Sequence, residues 1–206
     1  MPTGVEVELY TKVLATRGIQ LNPSQAAALM EYRRLLHLAS GKINLISQGD
    51  REEIALRHIL PSLNMGTLIR LVPNRIILDF GSGAGIPGIP LKILFPASHM
   101  ILVESRRKRA NFLRDMVRRL RFTGVEVKNH RIEDLYVSME GTVDVVVTRA
   151  AIDLERLWSI VGPILKSHGV AITTLDVQRG YHRGVGVLMR QKHQAHGQTH
   201  WFAVTR

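Results

Sequence analysis

Ile76-Ile77-Leu78-Asp79-Phe80-Gly81-Ser82-Gly83-Ala84-Gly85-Ile86-Pro87-Gly88 decides the fold class of this chain. An apolar run of strand character ends in an acid and passes into a turn with glycine at alternate positions, and Pro87 stands where a helix can begin. Glycine tolerates φ > 0 and lets backbone approach a ligand that a Cβ would hold off. A strand feeding such a turn and then a helix N-terminus is how an open α/β sheet holds a nucleotide-like cofactor.

Two cofactors compete for the loop. Gly83-Ala84-Gly85-Ile86-Pro87-Gly88 fits G-x-G-x-x-G, the dinucleotide fingerprint. The first glycine of that match should come straight off the strand, whereas Asp79, Phe80, Gly81 and Ser82 intervene. An ionised Asp79 at the mouth of the loop repels a pyrophosphate and attracts a cation. S-adenosylmethionine carries an ammonium and a sulfonium and no phosphate, so it suits the turn better. Glu104 closes the apolar run Met100-Ile101-Leu102-Val103 and sets a second carboxylate at the end of the neighbouring strand, where a ribose diol can donate two hydrogen bonds to it. Asp79, Gly81, Gly83, Gly85 and Glu104 therefore form the expected cofactor set. The alternative, an NADP-dependent oxidoreductase with Arg106 and Arg107 on a 2′-phosphate, is disfavoured by Asp79 and by the loop register.

On either side of the loop the chain has different characters. Val5, Leu9 and Val13 suit a helix ending near Gly18, and Asn22-Pro23-Ser24-Gln25 is a capping box with proline at the first helical position, opening a helix to Ala39. Asp50-Arg51-Glu52-Glu53 reads as another start, toward Leu60, with Pro61 permitting a new helix from Ser62 to Leu71. After Pro73-Asn74, strand and helix patterns alternate: Ile76–Phe80, Pro87–Phe95, Met100–Glu104, Arg106–Arg121, Val125–Asn129, Val143–Thr148, Leu154–Leu165 and Val170–Thr174. This predicts an α/β fold, a mostly parallel Rossmann-like sheet with helices on both faces, preceded by a helical N-terminal extension. The boundaries are residues 1–72 for the extension and 73–206 for the sheet domain.

Composition narrows the function. With 206 residues, 45% of them hydrophobic, the chain can bury a full core. No apolar run approaches a membrane span and Met1-Pro2-Thr3-Gly4-Val5-Glu6 has no signal-peptide character, so a cytoplasmic protein is expected. The absence of cysteine removes disulfides, thiolate metal sites and a cysteine nucleophile, and no metal is called for. Lys and Arg number 28 against 17 acids, an excess expected of a nucleic-acid binder. The basic residues cluster between Arg106 and Arg121, with Asp115 the only acid there, while Ala110, Leu113, Val117 and Leu120 recur at helical spacing. Arg106, Arg107, Arg114 and Arg118 are the expected phosphate contacts on the outer face of this amphipathic helix.

Several further motifs carry a resemblance. Asn44-Leu45, Arg57-His58-Ile59-Leu60-Pro61-Ser62-Leu63, Ile86-Pro87-Gly88-Ile89-Pro90-Leu91, Lys108-Arg109 leading to Phe112-Leu113-Arg114, Arg131-Ile132-Glu133-Asp134 and Thr148-Arg149-Ala150 resemble the ribosomal RNA small subunit methyltransferase G family, also called glucose-inhibited division protein B. The resemblance implies a class I methyltransferase that transfers a methyl group from S-adenosylmethionine to N7 of one guanine in the decoding region of 16S rRNA. The partner would be that RNA or the small ribosomal subunit. Position by position, it places cofactor contacts on Gly81, Ile86, Ile132, Glu133 and Arg149.

Guanine N7 has an in-plane lone pair and no proton, so alignment rather than a general base is the requirement. The catalytic residues are left open among Asn44, His58 and Arg149, of which Asn44 and His58 are candidates for orienting the base. Two departures from the family pattern stand out. Pro61 replaces the usual Asp, and Thr174-Leu175-Asp176 replaces the usual Leu-Lys-Gly after the fifth strand. Such changes leave open a catalytically altered RNA-binding homologue. The segment Val177–Gly186 is also too short and glycine-containing for a helix, and Val187–Arg190 with Thr199–Thr205 predicts a hairpin joined by Gln191–Gln198.

Overall fold

The computed structural model describes residues 4–69, 75–149, 154–175 and 184–189. Helices precede the first strand, beginning with α1 (Gly4–Ala15) and α2 (Pro23–Ser40). The capping box of α2 forms in full: Asn22 Oδ1 accepts from the Gln25 amide at 2.9 Å, and Gln25 Oε1 accepts from the Asn22 amide at 3.0 Å.

The next segment differs from expectation. Asp50 does not open a helix, because its carboxylate bonds backwards to Ser47 Oγ (2.6 Å) rather than forward to amides, and Gln48–Asp50 is a single 3₁₀ turn. A π-helical turn, Ala55–Ile59, then runs directly into α3 (Leu60–Ile69), so Pro61 lies within one continuous helix. The Leu60 amide reaches back five residues to the Ala55 carbonyl. Such widening accommodates a residue that has no N–H and whose ring presses on the carbonyl four positions back.

The rest alternates strand and helix: β1 (Ile76–Phe80), α4 (Gly88–Leu94), β2 (His99–Val103), α5 (Arg107–Arg119), β3 (Val125–Lys128), α6 (Tyr136–Met139), β4 (Val143–Thr148), α7 (Leu154–Val161), β5 (Leu165–Leu175) and β6 (Gly184–Met189), in the predicted order except that α6 is not foreseen and β5 begins at Leu165 rather than Val170. α7 stops short of Leu165 because Gly162-Pro163 turns the chain through a 3₁₀ segment. Strand order is β3-β2-β1-β4-β5-β6, with the first five parallel and β6 antiparallel to β5. β6 starts at Gly184 rather than Val187; Asp176, Arg190, Gln191–Gln198 and Thr199–Thr205 lie outside the described residues.

Alternating side chains of the strands feed two cores. Ile77, Met100, Leu102 and Val145 pack on one face with Tyr10, Leu29, Tyr32, Ile59 and Leu63 of the extension, while Leu78, Ile101, Val103 and Val146 pack on the other with Met139, Leu157 and Val161. The extension thus shares a core with the sheet. Gln25 ties the two further, its Nε2 donating to the Ile93 and Leu94 carbonyls at the end of α4, both at 3.1 Å.

Candidate active site

Reversal of strand order between β1 and β4 opens a crevice at their carboxyl ends. Asp79 sits there, paired in register with Leu102 on one side and Val147 on the other, and fully buried. Its Oδ2 accepts from the Gly88 amide at 3.0 Å, whereas Oδ1 is buried without a partner. Burial pushes the carboxyl up to about 7, with the Gly88 amide and the Ser82 hydroxyl acting in the opposite sense. Asp79 is therefore not the simple ionised group expected from the sequence. A buried carboxyl is costly to ionise until a cation or further donors reach it.

The alternate glycines divide into different roles. Gly81 has φ +71° and a Cβ built on it would meet nothing within 4 Å, so the chain leaves room there. Gly83 donates its amide to Glu104 Oε2 at 3.0 Å. Gly85 faces inward instead: a Cβ would stand 2.5 Å from Ile89 Cδ1 and 3.2 Å from Leu113 Cδ2, so this glycine serves packing of the loop against α4 and α5. Ile86, joined to Pro87 by a cis peptide bond, belongs to the same core.

Beside Gly81 lies a cleft of about 190 Å³ bounded by Phe80, Glu104, His130, Ile132 and Glu133. Glu104 is nearly buried just beyond β2, with Oε2 taken by Gly83 and Oε1 accepting from the Arg106 amide at 2.7 Å. Two amides leave the carboxylate lone-pair capacity for hydroxyl donors. Ile132 is buried at the cleft wall and Glu133 is exposed at its rim. Sequence reading missed the residues that brace this edge. Asn129 Nδ2 donates to the Glu104 and Ser105 carbonyls (2.8 and 3.0 Å), Thr148 Oγ1 to the Phe80 carbonyl (2.9 Å), and the buried Tyr32 hydroxyl to the Ala84 carbonyl (2.9 Å). Asn129 follows β3 and Thr148 ends β4, which was the available signal.

Arg149 follows β4 and reaches the extension. Its Nη1 stands 3.0 Å from His58 Nδ1, and Nη2 donates to the Arg57 carbonyl at 3.2 Å. A guanidinium only donates, so Nδ1 accepts and the imidazole proton is on Nε2, 3.7 Å from Asp50 Oδ2. Burial and the charge of Arg149 lower the His58 pKa, keeping the ring neutral. Asn44 is exposed; its carbonyl accepts from Arg109 Nη2 at 2.9 Å, tying the extension to α5.

α5 is amphipathic as expected, with Ala110, Phe112, Leu113 and Met116 buried. Its basic face is uneven. Arg118 and Arg119 both pair with Asp115 (2.5 and 2.6 Å), and Arg114 donates to Asn111 Oδ1 at 3.0 Å. Arg106, Arg107 and Lys108 are exposed at its start, next to the cleft, where the first turn has no acid.

The described residues fit a cofactor carrying an ammonium and a ribose: a partnerless buried carboxyl oxygen, an open glycine and a carboxylate-edged cleft converge at one sheet edge. Among solved structures, one assigned as a protein-L-isoaspartate O-methyltransferase from Plasmodium falciparum, in complex with S-adenosyl-L-homocysteine, superposes with a TM-score of 0.52 at 19% identity, covering 86% of this chain and 87% of that one. The two chains therefore share a fold. The ribosomal RNA small subunit methyltransferase G of Chlorobaculum tepidum is 30% identical over 91% of this chain and 85% of its own length, and that of Geobacter sp. (strain M21) is 36% identical over 79% and 74%. A family model described as rRNA small subunit methyltransferase G matches residues 25–175, and the chain belongs to that family of S-adenosylmethionine-dependent rRNA methyltransferases.

Proposed function

We propose that this chain methylates N7 of one guanine in the decoding region of 16S rRNA, acting on that RNA or on the small ribosomal subunit. S-adenosylmethionine, when bound, supplies a methyl group on a positively charged sulfur. The observation that carries the site is Asp79, whose buried Oδ1 has no partner and faces the crevice's charge requirement. Asp79 would hold the ammonium, Glu104 the ribose diol, the Ile132-Glu133 backbone the adenine edge, and Gly81 would admit the methionine end to the backbone. Ile86 shapes the loop from beneath. Arg149 would close the cofactor site from the β4 side.

No residue is asked to remove a proton, since N7 has none. His58 suits that requirement: its Nδ1 is committed to Arg149, so it orients rather than acts as a base. Digestion of 16S rRNA after labelled methyl transfer tests the base assignment. Label recovered in 7-methylguanosine supports it, and label in any other nucleoside overturns it.

For RNA contact, the exposed start of α5 is the favoured footprint, because Asp115 already shares the charges of Arg118 and Arg119. With on the order of five phosphate contacts, binding should weaken with salt at a log–log slope of roughly −3.5 to −4.5. Arg106→Gln with Arg107→Gln should flatten that slope by about one to two units. Arg114→Gln with Arg118→Gln should flatten it by less. Equal slopes in the wild type and the first pair would move the footprint off α5.

A further inference from the structure

Pro61 stands where an α-helical ladder would offer its amide to the Arg57 carbonyl, and proline has none to offer. That carbonyl receives the Arg149 Nη2 instead, at 3.2 Å, while Nη1 stands 3.0 Å from Nδ1 of the adjacent His58. Two neighbouring acceptors of one π-helical turn therefore grip one guanidinium, and the guanidinium is the group at the end of β4 where the crevice opens. The neighbouring carbonyl, that of His58, is taken by Ser62 Oγ at 2.7 Å. The turn's irregular backbone is thus put to use on both sides of the proline.

We propose that Pro61 is a positioning residue for Arg149: by withholding an amide from the Arg57 carbonyl, it reserves that acceptor for the guanidinium and fixes Arg149 at the cofactor edge of the sheet. The role rests on the reading that Arg149 contacts S-adenosylmethionine. The Arg57 carbonyl and His58 Nδ1 are the anchors of this guanidinium on the helical extension. Arg149 bridges the helical extension and the sheet through this contact, so the extension helps set the geometry of the cofactor site.

Pro61→Ala tests the role, because alanine restores an amide that competes for the Arg57 carbonyl and is a better helix former, so the fold is not put at risk. S-adenosylmethionine affinity by calorimetry should fall about tenfold, the loss of one hydrogen bond from a charged group. The His58 imidazole, followed by NMR, should titrate at higher pH. Arg149, Arg57 and Asp50 are the charged groups that face it, and loosening Arg149 relieves the repulsion that lowers it while Asp50 stays. The thermal midpoint should not fall. Unchanged affinity, or a fall in affinity without a shift of the His58 titration, overturns the proposal, since the effect would not then run through Arg149. Arg149→Ala separates the two layers. If it leaves affinity at the wild-type value, the reading of Arg149 as a cofactor contact fails; if it weakens binding and Pro61→Ala does not, only the role of Pro61 fails.

Discussion

Asp79→Asn is expected to weaken S-adenosylmethionine binding by about two orders of magnitude or more, the cost of removing one partner of a buried charge pair. Asparagine keeps the volume and an acceptor for the Gly88 amide, so the fold should survive. Stability should in fact respond to pH in the opposite sense from binding. The folded-state pKa of Asp79 is raised from 3.8 to about 7 by burial, so the folded protein holds this proton more tightly than the unfolded chain. That contribution is complete below the unfolded value and is lost as pH rises through about 7. The whole span corresponds to at most ~4 kcal/mol. Without ligand, the asparagine variant should therefore gain on the wild type as pH rises from 5 to 8, read from thermal unfolding. With ligand the sense reverses. A cation needs the ionised carboxylate, so wild-type affinity should drop as pH falls below about 7 while the weak affinity of the variant stays flat. Equal affinities of the two proteins at pH 8 by calorimetry would sink the assignment of Asp79.

Gly88→Ala should cost more stability than Gly81→Ala. A Cβ at Gly88 would stand 2.4 Å from Leu102 Cδ2, 2.7 Å from Asp79 Oδ2 and 3.0 Å from Asp79 Cβ. Leu102 can yield at its tip, but the Asp79 Cβ is anchored to the central strand. Overpacking and the strained Gly88–Asp79 hydrogen bond together should cost about 3 kcal/mol, lowering the thermal midpoint by roughly 6–12 °C for a chain of this size. Gly81→Ala is the contrasting case. Its Cβ meets nothing within 4 Å, so only the left-handed backbone is penalised, about 1–2 kcal/mol. It should nevertheless impair cofactor binding if, as proposed, the methionine end of the cofactor enters that space. A Gly88→Ala midpoint at or above that of Gly81→Ala would contradict the packing described for the loop.

Much of this was legible in the residues. β1 and the glycine loop were readable because an apolar run ending in Asp79 has few alternatives, and the Asn22–Gln25 box formed with both hydrogen bonds. What escaped reading depends on groups distant in sequence. Gly81 and Gly85 look alike along the chain, and only the packing of Ile89 and Leu113 separates a ligand approach from a filled core. The raised pKa of Asp79 follows from burial on a central strand, which an acid next to a glycine turn does not disclose. Pro61 reads locally as a helix start; its placement inside a helix follows from the π turn, and the open carbonyl finds its donor in Arg149, far along the chain. β6 begins in Gly184-Val185-Gly186, where two glycines mask the strand pattern and only the antiparallel register with β5 reveals it.

Transfer of labelled methyl from S-adenosylmethionine to 16S rRNA, offered naked, partly assembled and fully assembled into the small subunit, is the most direct measurement. The expected result is incorporation approaching one methyl group per RNA in at least one of the three forms, abolished in Asp79→Asn. Binding of S-adenosylmethionine with no transfer to any form would instead mark this chain as an RNA-binding homologue that has lost the reaction, and would contradict the function proposed here.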